Sequence, residues 1–246
     1  MKIDYESQAA AYEETRSVEP LVYSTLCSLL CPEKKDAVLD FGCGTGNYLK
    51  KLVLDFDIKA YGIEPSSAMR EIAAEKLGAT YILDGNHLKI PFPELYFNKI
   101  YCTDVIHHIR QLDTFFSNLM RVAKNGAKLC ICTESPPQLA EKFWIRYFPD
   151  ALTADIERFH SVNNIVLAGE KAGWTYSKSV LTEENKIAPI SLSFLKRVEK
   201  KTLSVFHLIA DGSFELGLAR MKADYYAGTP IPQHEGYTFV LFEKRK

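Results

Sequence analysis

The sequence lacks an excess of charge of either sign. Its 30 Lys and Arg residues against 31 Asp and Glu residues give a formal net charge of -1 at pH 7. Such a chain has no general attraction for nucleic acid or for an anionic membrane surface, so we expect neither as a partner. It also lacks an apolar run near the ~18 to 20 residues that span a bilayer, and its N-terminal segment lacks the apolar centre of a signal peptide. We therefore expect a cytoplasmic protein that recognises a small molecule locally.

The six cysteines lack the arrangement of a disulfide framework or a metal site. Cys43 lies in a glycine-rich segment, and Cys102, Cys130 and Cys132 lie in apolar runs. Cys27 and Cys31 lie close together in a helical stretch. No further ligands stand at metal-site spacing from the last pair. We expect reduced thiols that mainly pack, and no bound metal.

The chain from residue 37 to residue 180 alternates short apolar runs with amphipathic segments, which is typical of strand–helix units around a parallel sheet. The predicted strands are residues 37–41, 58–63, 80–83, 99–103 and 128–133. The predicted helices are 67–77, between a Ser66 cap and Gly78; 114–123, capped by Asp113; and 163–172, stopped by Gly173.

The remainder of the chain follows a different pattern. A strand is predicted at 174–181, a helical segment at 182–235, and a last strand beginning at Gly236 in GYTFVLF. No repeat or linker separates a second unit, so residues 1–246 are expected to form a single domain with a helical insertion before the last strand.

The segment VLDFGCGTGNYLKKL, residues 38–52, contains three glycines within five residues directly after an apolar run. A glycine-rich loop between a strand and a helix lies where doubly wound proteins bind ligands. An NAD fingerprint would need glycine where Asn47 stands, and a P-loop would need lysine there. The spacing therefore excludes both of these cofactor sites.

Acidic residues stand at the ends of three successive predicted strands, at Asp40, Glu64 and Asp84. Asp40, in a loop without basic residues, repels phosphate and suits a cationic amino group. Glu64 can accept hydrogen bonds from two ribose hydroxyls, and Asp84 is placed to meet the exocyclic amine of an adenine. These acids favour a ligand that carries both a nucleoside and an amino acid.

The motifs VLDFGCGTG, GIEPSSAM, LDGNHLKIPFP, YCTDVIHHI and LMRVAKNGAKL resemble those of the class I S-adenosylmethionine-dependent methyltransferases. Within that family they are most similar to the small-molecule branch that includes the trans-aconitate and quinone-biosynthesis enzymes. The resemblance implies a Rossmann-like α/β fold, with a seven-stranded, mostly parallel sheet, one antiparallel strand and helices on both faces. It also implies S-adenosylmethionine as cofactor and S-adenosylhomocysteine as product, lying across the strand ends.

By the same resemblance, residues 1–30 form a lid, 36–181 the cofactor-binding core, 182–235 a cap over the acceptor pocket, and 236–246 the last strand. Asp40 is expected to act indirectly on the cofactor ammonium group. The implied cofactor-binding residues are Tyr12, Arg16, Asp40, Gly42, Gly44, Gly46, Glu64, Pro65, Asp84, Gly85 and Thr103. The implied lining of the acceptor pocket includes Trp144, Tyr147 and Phe148.

Methyl transfer from a sulfonium is an in-line displacement that depends mainly on proximity and on exclusion of water. Candidate catalytic residues are His107 and His108, of which His108 could act as a base, and Tyr12. An alternative for the histidines is helix capping and packing.

The basic residues Lys196, Arg197, Lys200 and Lys201 are interpreted as a solvated helix face. The predicted function is methyl transfer to a small-molecule acceptor by a monomer or homodimer. The alternative is a non-catalytic S-adenosylmethionine sensor or partner subunit.

Overall fold

The sheet contains seven strands in a computed structural model that describes residues 4–79 and 81–245. The strands are β1 Ala37–Phe41, β2 Lys59–Ile63, β3 Ile82–Leu83, β4 Phe97–Thr103, β5 Ala123–Thr133, β6 Thr175–Ala188 and β7 Ile231–Glu243. Their order is β3-β2-β1-β4-β5-β7-β6, in which β7 is antiparallel to both of its neighbours. The predicted α/β fold with one antiparallel strand is confirmed.

Ten helices connect or cover these strands within the described residues. They are α1 Tyr5–Thr15, α2 Pro20–Leu30, α3 Asn47–Asp55, α4 Ser67–Leu77, α5 Leu112–Val122, α6 Pro136–Glu141, α7 Pro149–Ile156, α8 Val162–Lys171, α9 Leu192–Glu199 and α10 Asp211–Tyr226. No helix among the described residues is long and apolar enough to cross a membrane.

Strand side chains alternate between the two faces of the sheet, and both faces are covered by helices. Leu39 of β1 packs in the cluster that contains Phe115 of α5 and Ile165 of α8. Val38, one residue earlier, packs in the cluster that contains Leu26 of α2 and Leu52 of α3. Burial on both faces explains the nearly continuous apolar runs of the central strands. The polar side chains that carry chemistry are consequently placed at the strand ends.

Several predicted boundaries differ from the structure. Ser66 is the N-cap of α4 and accepts a hydrogen bond from the Met69 amide, and Gly78 ends that helix, as predicted. Asp113 is not a cap, because α5 begins at Leu112 and leaves Asp113 in the first turn, paired with Lys171. Thr80, the first residue of a predicted strand, lies outside the described residues.

The hairpin of β6 and β7 is longer than predicted. Its ladder runs from the pair Thr175 and Glu243 to the pair Ala188 and Ile231, so the helical insertion spans only residues 189–230. The polar residues 182–186 carry no strand-like alternation, and pairing with β7 satisfies the backbone groups that face that strand. The insertion therefore projects from the end of two long strands.

The insertion packs into a second apolar core, separate from those on the sheet. This cluster joins aromatic residues before α7 to helices α9 and α10, and its large members include Phe143, Trp144, Tyr147, Phe148, Phe206, Phe214 and Met221. Tyr147 and Phe148 are buried there, and the Tyr147 hydroxyl donates to Asp224 at 2.6 Å. Trp144 borders the cavity described below, whereas Tyr147 and Phe148 do not, so the prediction that these two line the acceptor pocket is wrong.

The N-terminal 30 residues form two different structures. Helix α2 packs on the sheet, where Leu26 and Leu30 are fully buried beside Tyr101 and Phe239. Helix α1 instead contacts α4 and α9, across the carboxyl ends of the strands. Of these residues only α1 borders the strand ends, so the lid role stays a prediction, and α1 is called the lid below.

Candidate functional site

A cavity of about 690 Å³ lies at the carboxyl ends of β1, β2 and β4. The strand ends and their loops form its floor, α1 covers one side, and the cap covers the other. Of the residues predicted to bind a cofactor, the cavity wall contains Tyr12, Arg16, Gly42, Gly44, Glu64, Pro65, Gly85 and Thr103. The fold thus brings together residues from five separate segments of the chain.

Gly42 and Gly44 of the glycine loop both adopt left-handed backbone conformations, with φ values of +74° and +54°. The space around the two residues differs. A Cβ atom on Gly42 would lie 2.6 Å from Cγ2 of Val105, so packing alone excludes a side chain there. A Cβ atom on Gly44 would meet nothing closer than Tyr12 Cε1, at 3.8 Å. Gly44 therefore leaves open space on the cavity side.

Glu64 is held rigidly at the end of β2. Its Oε2 accepts a hydrogen bond from the Gly44 amide and its Oε1 accepts one from the Ser66 amide, both at 3.0 Å. Burial raises the pKa of its carboxyl group, while the two amides act in the opposite direction. Each oxygen keeps a free lone pair, so the carboxylate can accept two further hydrogen bonds from a ligand in the cavity.

Asp40 lies behind the glycine loop and does not line the cavity. Its Oδ2 accepts a hydrogen bond from the Tyr101 hydroxyl at 2.9 Å, whereas its buried Oδ1 has no partner among the described residues. Burial raises the pKa of this carboxyl to about 7. A nearby cation would favour its ionised form.

Asp84 and Gly46 also lie outside the cavity wall. The Asp84 side chain is 73% exposed and accepts a hydrogen bond from Arg70 Nη1 at 3.2 Å. Gly85 to Leu88, directly after it, form the wall instead. Gly46 precedes α3 as its N-cap, in a left-handed conformation. A direct contact of Asp84 with a ligand stays a prediction.

The loop after β4 presents both candidate histidines to the cavity. Asp104 turns the chain with a φ of +57°, and a short 3₁₀ helix follows at Ile106–His108. The His107 ring stacks on Phe159 with a centroid distance of 4.2 Å and an interplanar angle of 14°. Burial lowers the pKa of His107 far below its usual range, so this side chain is a neutral packing group.

His108 faces the cavity and contacts the lid. Its Nε2 atom lies 2.9 Å from the Tyr5 hydroxyl, and the two rings meet edge to face. Enclosure by the surrounding protein lowers the pKa of His108 to about 4, with a smaller contribution from Arg158. His108 is therefore neutral at pH 7 and able to accept a proton. Local sequence patterns do not predict this partner, because Tyr5 lies 103 residues away.

Helix α1 is fastened over the cavity by polar contacts at several points. Glu6 accepts hydrogen bonds from the amides of Ser67 and Ala68, at 2.6 and 2.9 Å, where α4 begins. Lys76 of α4 pairs with Glu13 at 2.6 Å, and within the lid itself the Arg16 guanidinium lies 5.2 Å from the centre of the Tyr12 ring. The lid is thus attached to α4 near both of its ends.

The segment between β5 and α8, together with the cap, contributes residues that sequence reasoning missed. Asp155 Oδ1 binds Arg158 through Nε at 2.8 Å and Nη2 at 2.6 Å, and this pair lines the cavity beside Phe143 and Trp144. The solvated-face interpretation is wrong for Arg197, whose side chain is 19% exposed and lines the cavity. Phe194, one turn earlier on α9, lines it too, so this face of the helix points inward.

Comparison with known proteins agrees with this geometry. The family profile of a methyltransferase domain matches residues 39–131. An uncharacterized methyltransferase of Geobacillus thermodenitrificans is 33% identical over 184 residues, covering 71% of this chain and 85% of that protein. Another, from Anoxybacillus flavithermus, is 44% identical over 87 residues, or 35% of this chain and 41% of that protein.

A solved structure shows the same fold. Geranyl diphosphate C-methyltransferase of Streptomyces coelicolor, in complex with Mg²⁺, geranyl diphosphate and S-adenosylhomocysteine, superposes with a TM-score of 0.58 at 17% identity. The match covers 92% of this chain and 77% of that one. With the strand order, the glycine loop and the acid at the end of β2, these similarities establish that the chain belongs to the class I S-adenosylmethionine-dependent methyltransferases.

Proposed function

We propose that the protein transfers the methyl group of S-adenosylmethionine to a small-molecule acceptor in the cavity under the cap. The observation that carries the proposal is the continuity of this cavity. One wall is formed by the glycine loop and Glu64, and the opposite wall by aromatic and charged side chains of the cap and of the segment between β5 and α8. A donor and an acceptor can therefore meet inside a single cavity.

The residues present fit this cofactor. Glu64 offers two carboxylate oxygens with free lone pairs to the ribose hydroxyls. The unpartnered Oδ1 of Asp40 provides negative charge behind the loop, which suits an ammonium group. Gly85 to Leu88 provide a wall for the adenine, and the open side of Gly44 accommodates the amino acid.

S-adenosylmethionine supplies a methyl group that its sulfonium already activates, so the protein needs to supply little covalent chemistry. Helix α1 excludes water by closing over the strand ends, and the cap orients the acceptor. His108, neutral at pH 7, accepts a proton when the acceptor carries one, either directly or through the Tyr5 hydroxyl. His107 supports this loop by stacking, and Tyr12 encloses the donor beside Gly44.

Calorimetry with S-adenosylmethionine, S-adenosylhomocysteine and NAD tests the first part of the proposal. We expect the first two to bind and NAD not to bind, and a preference for NAD would overturn it. An acceptor screen with radiolabelled methyl donor tests the second part, using the wild type and Glu64→Ala. Donor binding without turnover across a broad set of small molecules would favour the alternative of a sensor or partner subunit.

A further inference from the structure

The end of the lid and the end of helix α9 are joined around one residue, Thr202. Its carbonyl accepts a hydrogen bond from Arg16 Nη2 at 3.4 Å, and its hydroxyl lies 3.1 Å from that of Thr15. The Thr202 amide and hydroxyl both donate to the carbonyl of Arg197, at 2.9 and 3.2 Å. Lys200 of the cap also pairs with Glu14 of the lid. This junction brings two guanidinium groups to the same part of the cavity wall.

These two arginines lack the close ion pairs, within hydrogen-bond distance, that the other cavity cations have. Lys142 pairs with Glu134, and Arg158 pairs with Asp155. Among the described residues, the carboxylate nearest to Arg197 is Glu19, at 3.9 Å from Nη1, which is too far for a hydrogen bond.

The Nε atoms of Arg16 and Arg197 are both buried, and neither has a partner within the part of the chain described. Burial lowers the pKa of Arg197, and the charge of Arg16 lowers it further. Asp104 also faces both arginines, but no hydrogen bond or ion pair joins it to either one in the described ranges. Two like charges with buried, unused donors are best stabilised by an anion between them.

The position of this pair identifies the anion. Asn47, the first residue of α3 after the glycine loop, donates from Nδ2 to the Arg16 carbonyl at 3.2 Å. Tyr12, one turn before Arg16, is the nearest group to the open side of Gly44. The arginines therefore adjoin the glycine loop, where the proposed function places the amino acid part of the donor. That part carries an ammonium group, which suits Asp40, and a carboxylate, which requires a cation.

We propose that Arg197, on the inserted helix, joins Arg16 in binding the carboxylate of the donor's methionine part. The inference rests on the proposed function. It assigns a donor-binding role to the cap, which otherwise surrounds the acceptor side of the cavity. The donor then holds lid and cap together, so the acceptor pocket is fully formed only when the donor is bound. Donor binding precedes acceptor binding for this reason.

Calorimetry with two ligands tests the assignment. S-adenosylhomocysteine carries the carboxylate, and 5′-methylthioadenosine lacks the whole amino acid. We expect Arg197→Gln to weaken binding of S-adenosylhomocysteine by about tenfold or more, and to change binding of 5′-methylthioadenosine by less than about twofold. Arg197→Lys, which keeps the charge but loses the planar fork, should give an intermediate loss. Lys196→Gln, the same charge change at the exposed neighbouring position, should bind both ligands like the wild type.

Equal weakening of both ligands by Arg197→Gln, or no effect on S-adenosylhomocysteine, would overturn the assignment. Failure of the wild type to bind either ligand would instead reject the proposed function. A second measurement on the wild type does not depend on any variant folding: hydrogen exchange of the α9 amides. S-adenosylhomocysteine should slow this exchange, while 5′-methylthioadenosine should not, and equal protection by both ligands would contradict the proposal.

Discussion

The Tyr5 hydroxyl lies 2.9 Å from His108 Nε2, which links the first turn of the lid to the loop that follows β4. The ring centroids are 5.6 Å apart at an interplanar angle of 88°. This contact closes the cavity directly beside the residues that would face the acceptor. The position of the lid and the state of the candidate base are therefore coupled through one hydrogen bond.

Removal of this hydrogen bond should loosen the lid. We expect Tyr5→Phe and His108→Ala each to weaken binding of S-adenosylhomocysteine, and the double variant to lose less than the sum. The interaction free energy should be about 0.5–1.5 kcal/mol, typical of one hydrogen bond. Calorimetry on the four proteins measures it, with Tyr226→Phe as a control at an exposed tyrosine. Strictly additive losses would show that the contact does not couple lid and loop.

The protonation of His108 should differ from that of an ordinary histidine. Because its pKa is lowered from 6.5 to about 4, the ring stays neutral as the pH falls through the usual histidine range. If His108 is the base, activity should be lost only as the pH approaches about 4. NMR titration, with the His108 signal assigned by comparison with His108→Asn, checks the pKa before any acceptor is known. Titration near 6.5 would contradict the enclosed position of the ring.

Glu64 should matter more for the donor than Asp84. Glu64→Gln replaces one oxygen by an amino group, which cannot accept the hydrogen bond of the Gly44 or Ser66 amide. We expect affinity for S-adenosylhomocysteine to fall by about tenfold or more. Asp84→Asn, on an exposed side chain that meets Arg70, should cost clearly less. A larger loss for Asp84→Asn would show that this carboxylate moves into the cavity when the donor binds.

We expect Asp40 to favour binding of the donor and to lower the free energy of unfolding. Its pKa is about 7 in the folded protein and 3.8 without the fold, so ionisation increasingly opposes folding as the pH rises from 3.8 to 7. Asp40→Asn should therefore raise the free energy of unfolding most above pH 7, where the pKa difference sets an upper limit of about 4 kcal/mol. The same variant should bind S-adenosylhomocysteine more weakly.

Denaturant titrations at several pH values measure the stability of Asp40→Asn, and calorimetry measures its affinity. An unchanged affinity would mean that the carboxylate does not serve the ammonium group. An unchanged stability would mean that the ionised carboxylate is solvated in the folded protein.

Glu6 should hold the lid in a pH-dependent way. Hydrogen bonds from Ala68 and Ser67 lower its pKa from 4.5 to about 2, so its contribution is complete above pH 4.5 and is lost as the pH falls towards 2. Glu6→Gln should speed hydrogen exchange in α1 at neutral pH. Glu71→Gln, at an exposed position of the neighbouring helix, is the matched control. Equal exchange in wild type and Glu6→Gln would show that other contacts fix the lid.

The sequence predicts those parts of the site that depend on short sequence patterns within one segment of the chain. The acids at positions 40, 64 and 84 follow apolar runs, and the ends of parallel strands meet at one edge of a sheet. The resemblance of motifs implies seven strands, one of them antiparallel, and the structure confirms both. These features depend on the chain near each motif and little on distant contacts.

The parts that the sequence does not predict depend on contacts between distant segments. Tyr5 meets His108 only because α1 crosses the strand ends, and Arg197 turns inward only because the cap core fixes the orientation of α9. The polar second half of β6 has no apolar alternation, and only its partner strand makes it a strand. Local patterns carry no information about such pairings.

The chain enters and leaves the cap at Ala188 and Ile231, the outermost pair of the long β6–β7 hairpin. A segment joined in this way can be exchanged for that of a related enzyme without breaking the β1, β2 and β4 pairings that shape the donor site. Chimaeras with foreign residues 189–230 are thus a direct route to altered acceptor choice. Each replacement would still have to supply a cation where Arg197 stands and an apolar face that packs on Tyr147 and Phe148, so these contacts set the compatibility between a new cap and the rest of the protein.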